Sequence, residues 1–580
     1  MLVASALGCV LVLFFGTILL FGIIGTLVSI GSSEVKTIPH NAILQITFEK
    51  PLLEQNSINP ISKIVPFGWY QDDGYGYYDV VSAVDRAAED DRIQMIYLNT
   101  NYLNAGISHV EELREALKRF RLSGKAVIAY SDSYSQVGYY LASVADKVFL
   151  NPGGAVSLRG FSLSTRYYKG LMEELGIEAQ IIRHGVYKSG GESYVQQKMS
   201  VEERTQLAAF LQSAWDHWAQ EIAEVRQIPI KSVNQIAEYM GCTNTYEATE
   251  HKLIDEAFYK DELIDYLCTL QGVKSEKQLR TVDMQTYLNN RAYSKAKEKV
   301  AILFANGTLQ TGRGPQEIMS ENYIRMIRRL RTDSSVKAVI LRIDTPGGDA
   351  LAANIVHREL KLLKEVKPLI VSMGDQATSG GYWMACAGDY IFGSSATLTG
   401  SIGAYAIAYN GQKGLNKWLK VNVETVRTHS SSDAGSIYRP MSAFELAKIQ
   451  KEIDDTYRQF VGTVSQERGL LFEEADALAQ GRIWSGGDAL KNGLIDRIGG
   501  LYDAVRYAAQ FAKLSDYQVV EYPSTSTFWE RMVQTVSAES RVRSLGSDPQ
   551  KWANEIESTI YQELTQGVQV KLPFIYMWQY

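Results

Sequence analysis

Short apolar runs alternate with stretches of helical periodicity along most of this chain. Ala42–Phe48, Ile93–Leu98, Val300–Ala305, Ala338–Ile343 and Leu369–Met373 read as strands, the last ending at Gly374. Between them, Ala353, Val356, Leu360 and Leu363 mark one face of a helix. Tyr323–Arg331 predicts a basic helix, and a longer helical pattern covers about Ala443–Arg468. Strands separated by helices predict an α/β fold with a mostly parallel sheet.

The pattern occurs twice. Ser135-Gln136-Val137-Gly138-Tyr139-Tyr140-Leu141-Ala142 matches Thr378-Ser379-Gly380-Gly381-Tyr382-Trp383-Met384-Ala385, an offset of about 243 positions. The same offset carries Ile93–Leu98 onto Val336–Leu341 and Val148-Phe149 onto Ile391-Phe392. Leu253-Ile254-Asp255 echoes Leu494-Ile495-Asp496. The chain is therefore a tandem duplication, and the domains are placed at 38–274 and 300–514. The polar segment 275–299 connects them. The repeat is expected to stop near Ser515, leaving a tail, 515–580, to which the sequence assigns no chemistry.

Ahead of the first copy, Leu2–Ile30 carries no charge and is long enough to cross a bilayer. A charged leader is missing and the run exceeds a cleavable signal core, so residues 1–37 are expected to be a retained anchor with the lipid bilayer as partner. Charge does not decide its orientation, since only Glu34 and Lys36 lie near its end.

Composition adds exclusions. The net charge is −6 with no basic block, which argues against nucleic acid as a partner. Four widely spaced cysteines and seven scattered histidines show no metal-ligand or disulfide spacing, and no cofactor is expected.

Candidate chemistry centres on Ser379. A serine at a strand-to-helix turn lies beside free backbone N–H groups, which favour developing negative charge. The copies can be compared position by position. Ser379 faces Gln136, which is no nucleophile, and Gly347-Gly348 face Asn104-Ala105. Gly347 or Gly348, with Gly380, could supply a two-donor oxyanion hole. The first copy instead holds Lys188, which faces Ser432 in the second. One copy has the amine and the other the hydroxyl, as expected for one site built across both. Serine needs a base, and a lysine serves only if burial or nearby positive charge lowers its pKa from about 10.4 by about two to three units. Ser401, which faces Leu158, is the candidate to aim the amine.

Three alternatives stay open at this level. His429 or His184 could be the base in place of Lys188. The paired N–H groups would also suit an acyl-CoA enzyme. Ser379 could merely shape a turn in a non-catalytic membrane scaffold.

Tyr187-Lys188-Ser189, Thr378–Trp383, Asp344-Thr345-Pro346-Gly347-Gly348, Thr399-Gly400-Ser401-Ile402-Gly403, Gly481-Arg482-Ile483-Trp484 and Asp488–Asp496 together resemble the signal peptide peptidase A family in its long, tandem-repeat bacterial form. The resemblance runs from the anchor to about residue 510. It implies a tandem ClpP/crotonase-like fold and a serine endopeptidase of the bacterial inner membrane, with its bulk outside the cytoplasm. The substrates it implies are apolar peptides, namely spent signal peptides, and the assembly is a homotetramer. By motif it makes Ser379 the nucleophile, Lys188 the general base and Ser401 its hydrogen-bond partner, with Gly380 and Gly348 as oxyanion donors.

Overall fold

A computed structural model describes residues 37–55, 74–290, 294–314, 317–523 and 569–571. Among the described residues no helix is long and apolar enough to cross a membrane. The apolar stretch 2–30 lies outside them.

The first copy contains β1 (Ala42–Thr47), α1 (Tyr77–Glu89), β2 (Ile93–Asn99), α2 (Ile107–Leu122), β3 (Ala126–Ser131), α3 (Gln136–Ala142), β4 (Lys147–Leu150), β5 (Glu178–His184), α4 (Val201–Arg226), β6 (Glu256–Ala257) and β7 (Thr281–Asp283). Its sheet has the order β6-β4-β3-β2-β1-β7 and every pairing is parallel. The second copy contains β8 (Lys299–Asn306), α5 (Ser320–Thr332), β9 (Val336–Thr345), β10 (Gly347–Asp349), α6 (Ala350–Lys364), β11 (Leu369–Thr378), α7 (Gly380–Ala385), β12 (Tyr390–Gly393), β13 (Leu398–Gly400), β14 (Ala404–Asn410), α8 (Ala443–Arg468), β15 (Ile483–Ser485), α9 (Leu501–Phe511) and β16 (Gln518–Tyr522). Its main sheet runs β15-β13-β11-β9-β8-β16, with β12 also on β11.

The duplication shows in side-chain bonds as well as in topology. Tyr140 stacks on Trp218 with ring centroids 3.8 Å apart, and Trp383 stacks on Phe460 at 4.5 Å. Tyr139 donates to Leu253 O at 2.7 Å, as Tyr382 does to Leu494 O at 2.8 Å. Helices α4 and α8 are each 26 residues long and start on a serine N-cap, Ser200 and Ser442. The cap satisfies a backbone N–H that the first helical turn leaves open.

Three sequence boundaries are corrected. The strand expected to end at Gly374 continues to Thr378, because Gln376–Thr378 pair with Leu398–Gly400. The segment 275–299 does more than connect, since β7 extends the first sheet alongside β1. The repeat does not stop near Ser515: β16 lies on β8 as β7 lies on β1. These edge strands are short and partly exposed, so their apolar pattern is weak.

The copies share one core. A contiguous apolar cluster includes Ile96, Leu98 and Val110 of the first and Ile302, Ile340 and Phe392 of the second. Buried polar bonds fix the relative placement. Arg342 grips Glu54 with two bonds, at 2.8 and 2.7 Å, and His109 Nε2 lies 2.7 Å from the same carboxylate. Burial alone would raise the Glu54 carboxyl, but Arg342 and His109 hold it well below its ordinary value. Glu112 of α2 accepts from the backbone N–H groups of Leu501 and Tyr502 at 2.9 and 2.6 Å, capping the first turn of α9.

A third sheet joins the copies at the site. β5 pairs antiparallel with β14 from Ala404↔His184 to Asn410↔Glu178. The tail supplies β17 (Gln569–Lys571), which lies between β10 and β14: Gly348 pairs with Val570, and Tyr405 with Gln569. Residues 569–571 thus have a defined place in a tail to which the sequence assigned no role.

Candidate active site

Ser379 follows the last residue of β11 and caps the N-terminus of α7. Its backbone is at φ 57° and ψ −115°, a conformation uncommon for a residue with a side chain. Pairing on both sides holds it there, since Ser379 N donates to Gly400 O at 2.7 Å and Trp383 N donates to Ser379 O at 2.9 Å. The sharp turn brings the buried Oγ into contact with the first copy.

Lys188 meets it there. Its Nζ lies 2.8 Å from Ser379 Oγ, 2.8 Å from Ser401 O and 3.0 Å from Ser401 Oγ. A neutral amine has two N–H donors and one lone pair. In that form two donations to Ser401 and one bond accepted from the Ser379 hydroxyl would use all three, whereas a charged amine donates to all three oxygens. Lys188 is only 1% exposed, and burial drives its amine well below the ordinary lysine value. The shift favours the neutral amine, a form able to accept a proton, next to a hydroxyl that could give one.

Ser401 is held by the same kind of strained backbone, φ 53°, and its N–H donates to Arg482 O at 2.7 Å. The segment that provides Arg482 also packs against the lysine. Gly481 is at φ +77°, and a Cβ there would stand 2.5 Å from Lys188 N and Cβ. Only glycine permits that approach.

The oxyanion donors resolve partly. Gly347 N donates to Thr345 Oγ1 at 3.0 Å, so of the two glycines named from sequence its amide is already engaged. Gly348 is at φ +158°, close to extended, and a Cβ there would stand 2.1 Å from Leu309 O. Gly380 opens α7, where helical geometry provides no partner for its N–H. The Gly380 N–H is left open by its position, whereas Gly348 lies in β10 and is laddered with Leu309 on one side and with Val570 of β17 on the other.

The histidines lie elsewhere. His184 Nδ1 is 2.7 Å from Asp454 Oδ1, and its ring stacks on Tyr457 at 3.9 Å. His429 is exposed and bonds to its neighbour Thr428 at 3.1 Å. Ser432, which faces Lys188 in the copy comparison, hydrogen-bonds within its own turn at His429. Among the described residues no cluster of His, Cys, Asp or Glu is placed to hold a metal.

Sequence reasoning missed Gln206, Arg183 and the Gln480–Ile483 segment as supports of the lysine. Arg183 Nη1 donates to Lys188 O at 2.9 Å and to Glu192 at 2.6 Å. Of these supports, the Gly481-Arg482-Ile483-Trp484 motif alone was visible in the sequence.

A profile described as peptidase family S49 matches residues 119–274 and 361–515, once in each copy. Protease 4 of Haemophilus influenzae is 32% identical over 492 residues, covering 82% of this chain and 79% of that protein. Protease 4 of Salmonella typhi is 32% identical, covering 80% and 76%. The chloroplastic serine protease SPPA of Arabidopsis thaliana is 33% identical, covering 74% and 64%. A solved mutant of ClpP1 from Listeria monocytogenes is 14% identical and is matched over 35% of this chain and 94% of its own, with a TM-score of 0.25.

Proposed function

Since this chain belongs to peptidase family S49 and is a serine peptidase of the signal peptide peptidase type, we propose that it cuts apolar peptides with a Ser379/Lys188 dyad assembled from both copies. One observation carries the reading: a buried lysine amine at 2.8 Å from the hydroxyl of a serine held at a strained strand-to-helix turn.

Neutral Lys188 takes the Ser379 proton as Oγ attacks the scissile carbonyl. The N–H groups of Gly348 and Gly380 receive the oxyanion, an interaction of greatest value where charge develops in a dry site. Lys188 then gives its proton to the leaving amine, and an acyl-enzyme remains on Ser379. Water, deprotonated by the same amine, hydrolyses the ester and restores the serine. Ser401 holds Nζ through each step.

The substrate binds as an extended strand between β10 and β14. Those strands flank the site, and the chain's own residues 569–571 already occupy the slot. An apolar peptide is favoured because the apolar stretch 2–30 would hold the enzyme at the cytoplasmic membrane, with its bulk outside the cytoplasm, where spent signal peptides remain. Within this reading the copies are ClpP/crotonase-like and the protein assembles as a homo-oligomer.

Ser379→Ala and Lys188→Ala, assayed separately on an apolar peptide, test the dyad. Each is expected to lower kcat by at least about a thousandfold. Fluorophosphonate labelling is expected to vanish in Ser379→Ala. Near-normal turnover in either variant overturns the assignment.

A further inference from the structure

Catalysis by a lysine on a loop requires that the loop not move. The lysine and serine come from different copies, so the support must span both. We infer that Gln206 is the positioning residue that clamps the Lys188 loop to the second copy, an inference that rests on the dyad reading above.

Gln206 lies in the second turn of α4 and is only 2% exposed. Its carboxamide is used at both ends. Nε2 donates to Tyr187 O at 2.9 Å, the carbonyl of the peptide bond that leads into Lys188. Oε1 accepts from Ile483 N at 3.1 Å. Tyr187 N in turn donates to Gln480 O at 2.9 Å. The residue before the lysine is therefore tied at both its N–H and its C=O to Gln480–Ile483, directly at one end and through Gln206 at the other. That segment also fixes the serines. Ser401 N donates to Arg482 O, Gly481 N donates to Ile402 O, and Ile483 pairs with Gly400, whose carbonyl accepts from Ser379 N. One side-chain amide closes a ring that contains the base, its acceptor and the nucleophile.

The chemistry selects glutamine. The position faces one acceptor and one donor, and a carboxamide answers both from two terminal atoms on one side chain. A carboxylate would oppose the Tyr187 carbonyl, and a thioether would leave a buried C=O and a buried N–H unpaired. The duplication supplies an internal comparison. Counting from the serine caps of the two equal helices, Gln206 corresponds to Lys448 of α8, which is exposed. The helix next to the catalytic lysine alone buries an amide at this place. Apolar packing sets the range, because Leu207 and Phe210 of α4 lie in one cluster with Leu398 and Ile483.

A displacement of about 1 Å in a reacting group can cost on the order of 100-fold in rate. Gln206→Met preserves volume and removes both bonds. We expect kcat to fall about 10- to 100-fold with KM within about twofold, and the acid limb of the kcat profile to move to higher pH as the amine becomes less enclosed. Ile222→Ala loosens the same helix about four turns further along, in the main core and away from the ring. It should lower the melting temperature at least as much, yet keep kcat within about twofold and leave the acid limb in place. The clamp is overturned if Gln206→Met keeps kcat within twofold with an unmoved limb, or if both variants lose kcat in parallel. Ser379→Ala and Lys188→Ala run beside them separate the two ideas. Activity in those variants removes the dyad itself, whereas inactive dyad variants beside a fully active Gln206→Met remove only the clamp.

Discussion

Lys188 Nζ and Ser379 Oγ meet at 2.8 Å although 191 positions separate them in one polypeptide. Neither copy can form the pair alone, and no second chain is needed to bring it together. The contact predicts a pH dependence with a definite sign. As the proposed base, the amine would work only when neutral, and burial lowers its pKa well below the ordinary 10.5. Turnover should therefore be low in acid, rise tenfold per pH unit as the amine loses its proton, and level off well before pH 10. A kcat/KM profile on a fixed peptide measures this. An acid limb centred near 10.5 would contradict an enclosed base.

The same burial has a cost to folding. An amine whose folded pKa lies below its unfolded one makes the folded state release a proton. Stability from this site is thus reduced below the folded value and recovers as pH rises toward 10.5. Lys188→Met keeps the length of the chain and removes the charge. It should abolish turnover while raising the melting temperature at pH 7 by several degrees, and the gain should shrink toward pH 10. A lower melting temperature across that range would show that the lysine's three polar contacts outweigh its desolvation.

Ser401 holds Nζ twice, through its carbonyl at 2.8 Å and its hydroxyl at 3.0 Å. Ser401→Ala removes only the second bond. A loss of about 10- to 100-fold in kcat with little change in KM is expected, because the amine stays in place but can rotate off the Ser379 proton. Steady-state kinetics distinguish this from a change in substrate binding, which would raise KM instead.

Much of this was legible in the chain because duplication provided its own comparison. Setting Ser379 against Gln136, and Lys188 against Ser432, exposed a hydroxyl and an amine that neither copy keeps together. Helix α8 was readable to its ends, Ala443 and Arg468, since its apolar stripe is long and both caps are strong. The supports were not legible. Gln206 is one polar residue in an amphipathic helix, and its two partners are backbone groups that carry no side-chain signal. Arg342 reads as a charge interrupting an apolar strand until Glu54 of the other copy lies against it. Val570 has meaning only beside Gly348, across more than two hundred positions of intervening chain.

Beneath the glycine turn, Asp344 accepts from Gln376 N at 3.0 Å. Burial first, then the nearby Glu54 and Asp375 carboxylates, push its carboxyl up to about 8. A carboxyl raised on folding holds an extra proton in the folded state. Its contribution is therefore full below about pH 4 and is lost as pH rises through the folded value. Asp344→Asn keeps the acceptor oxygen and cannot ionise. The variant should match the wild type near pH 4 and exceed it at pH 8.5 by at least about 1 kcal/mol. Denaturant midpoints at the two pH values give the comparison, and an Asn variant that is equally destabilised at both would show that Asp344 is ionised throughout.

Strand β17 raises a question of competition. Residues 569–571 pair with Gly347–Asp349 on one side and with Tyr405 on the other, which is the slot proposed for an extended substrate. A tethered segment competes at an effective concentration set by its linker, commonly in the millimolar range. A peptide from solution must displace it, so the measured KM contains the cost of opening the slot while kcat, set by the dyad, does not. Deleting residues 569–580 should lower KM several-fold, leave kcat within about twofold, and make the enzyme more sensitive to an added peptide that spans Gln566–Phe574. Kinetics on the full and shortened chains with one fluorogenic substrate decide it. An unchanged KM would mean that β17 leaves the slot freely, and a fall in kcat would mean that the strand braces the Gly348 turn rather than blocking it.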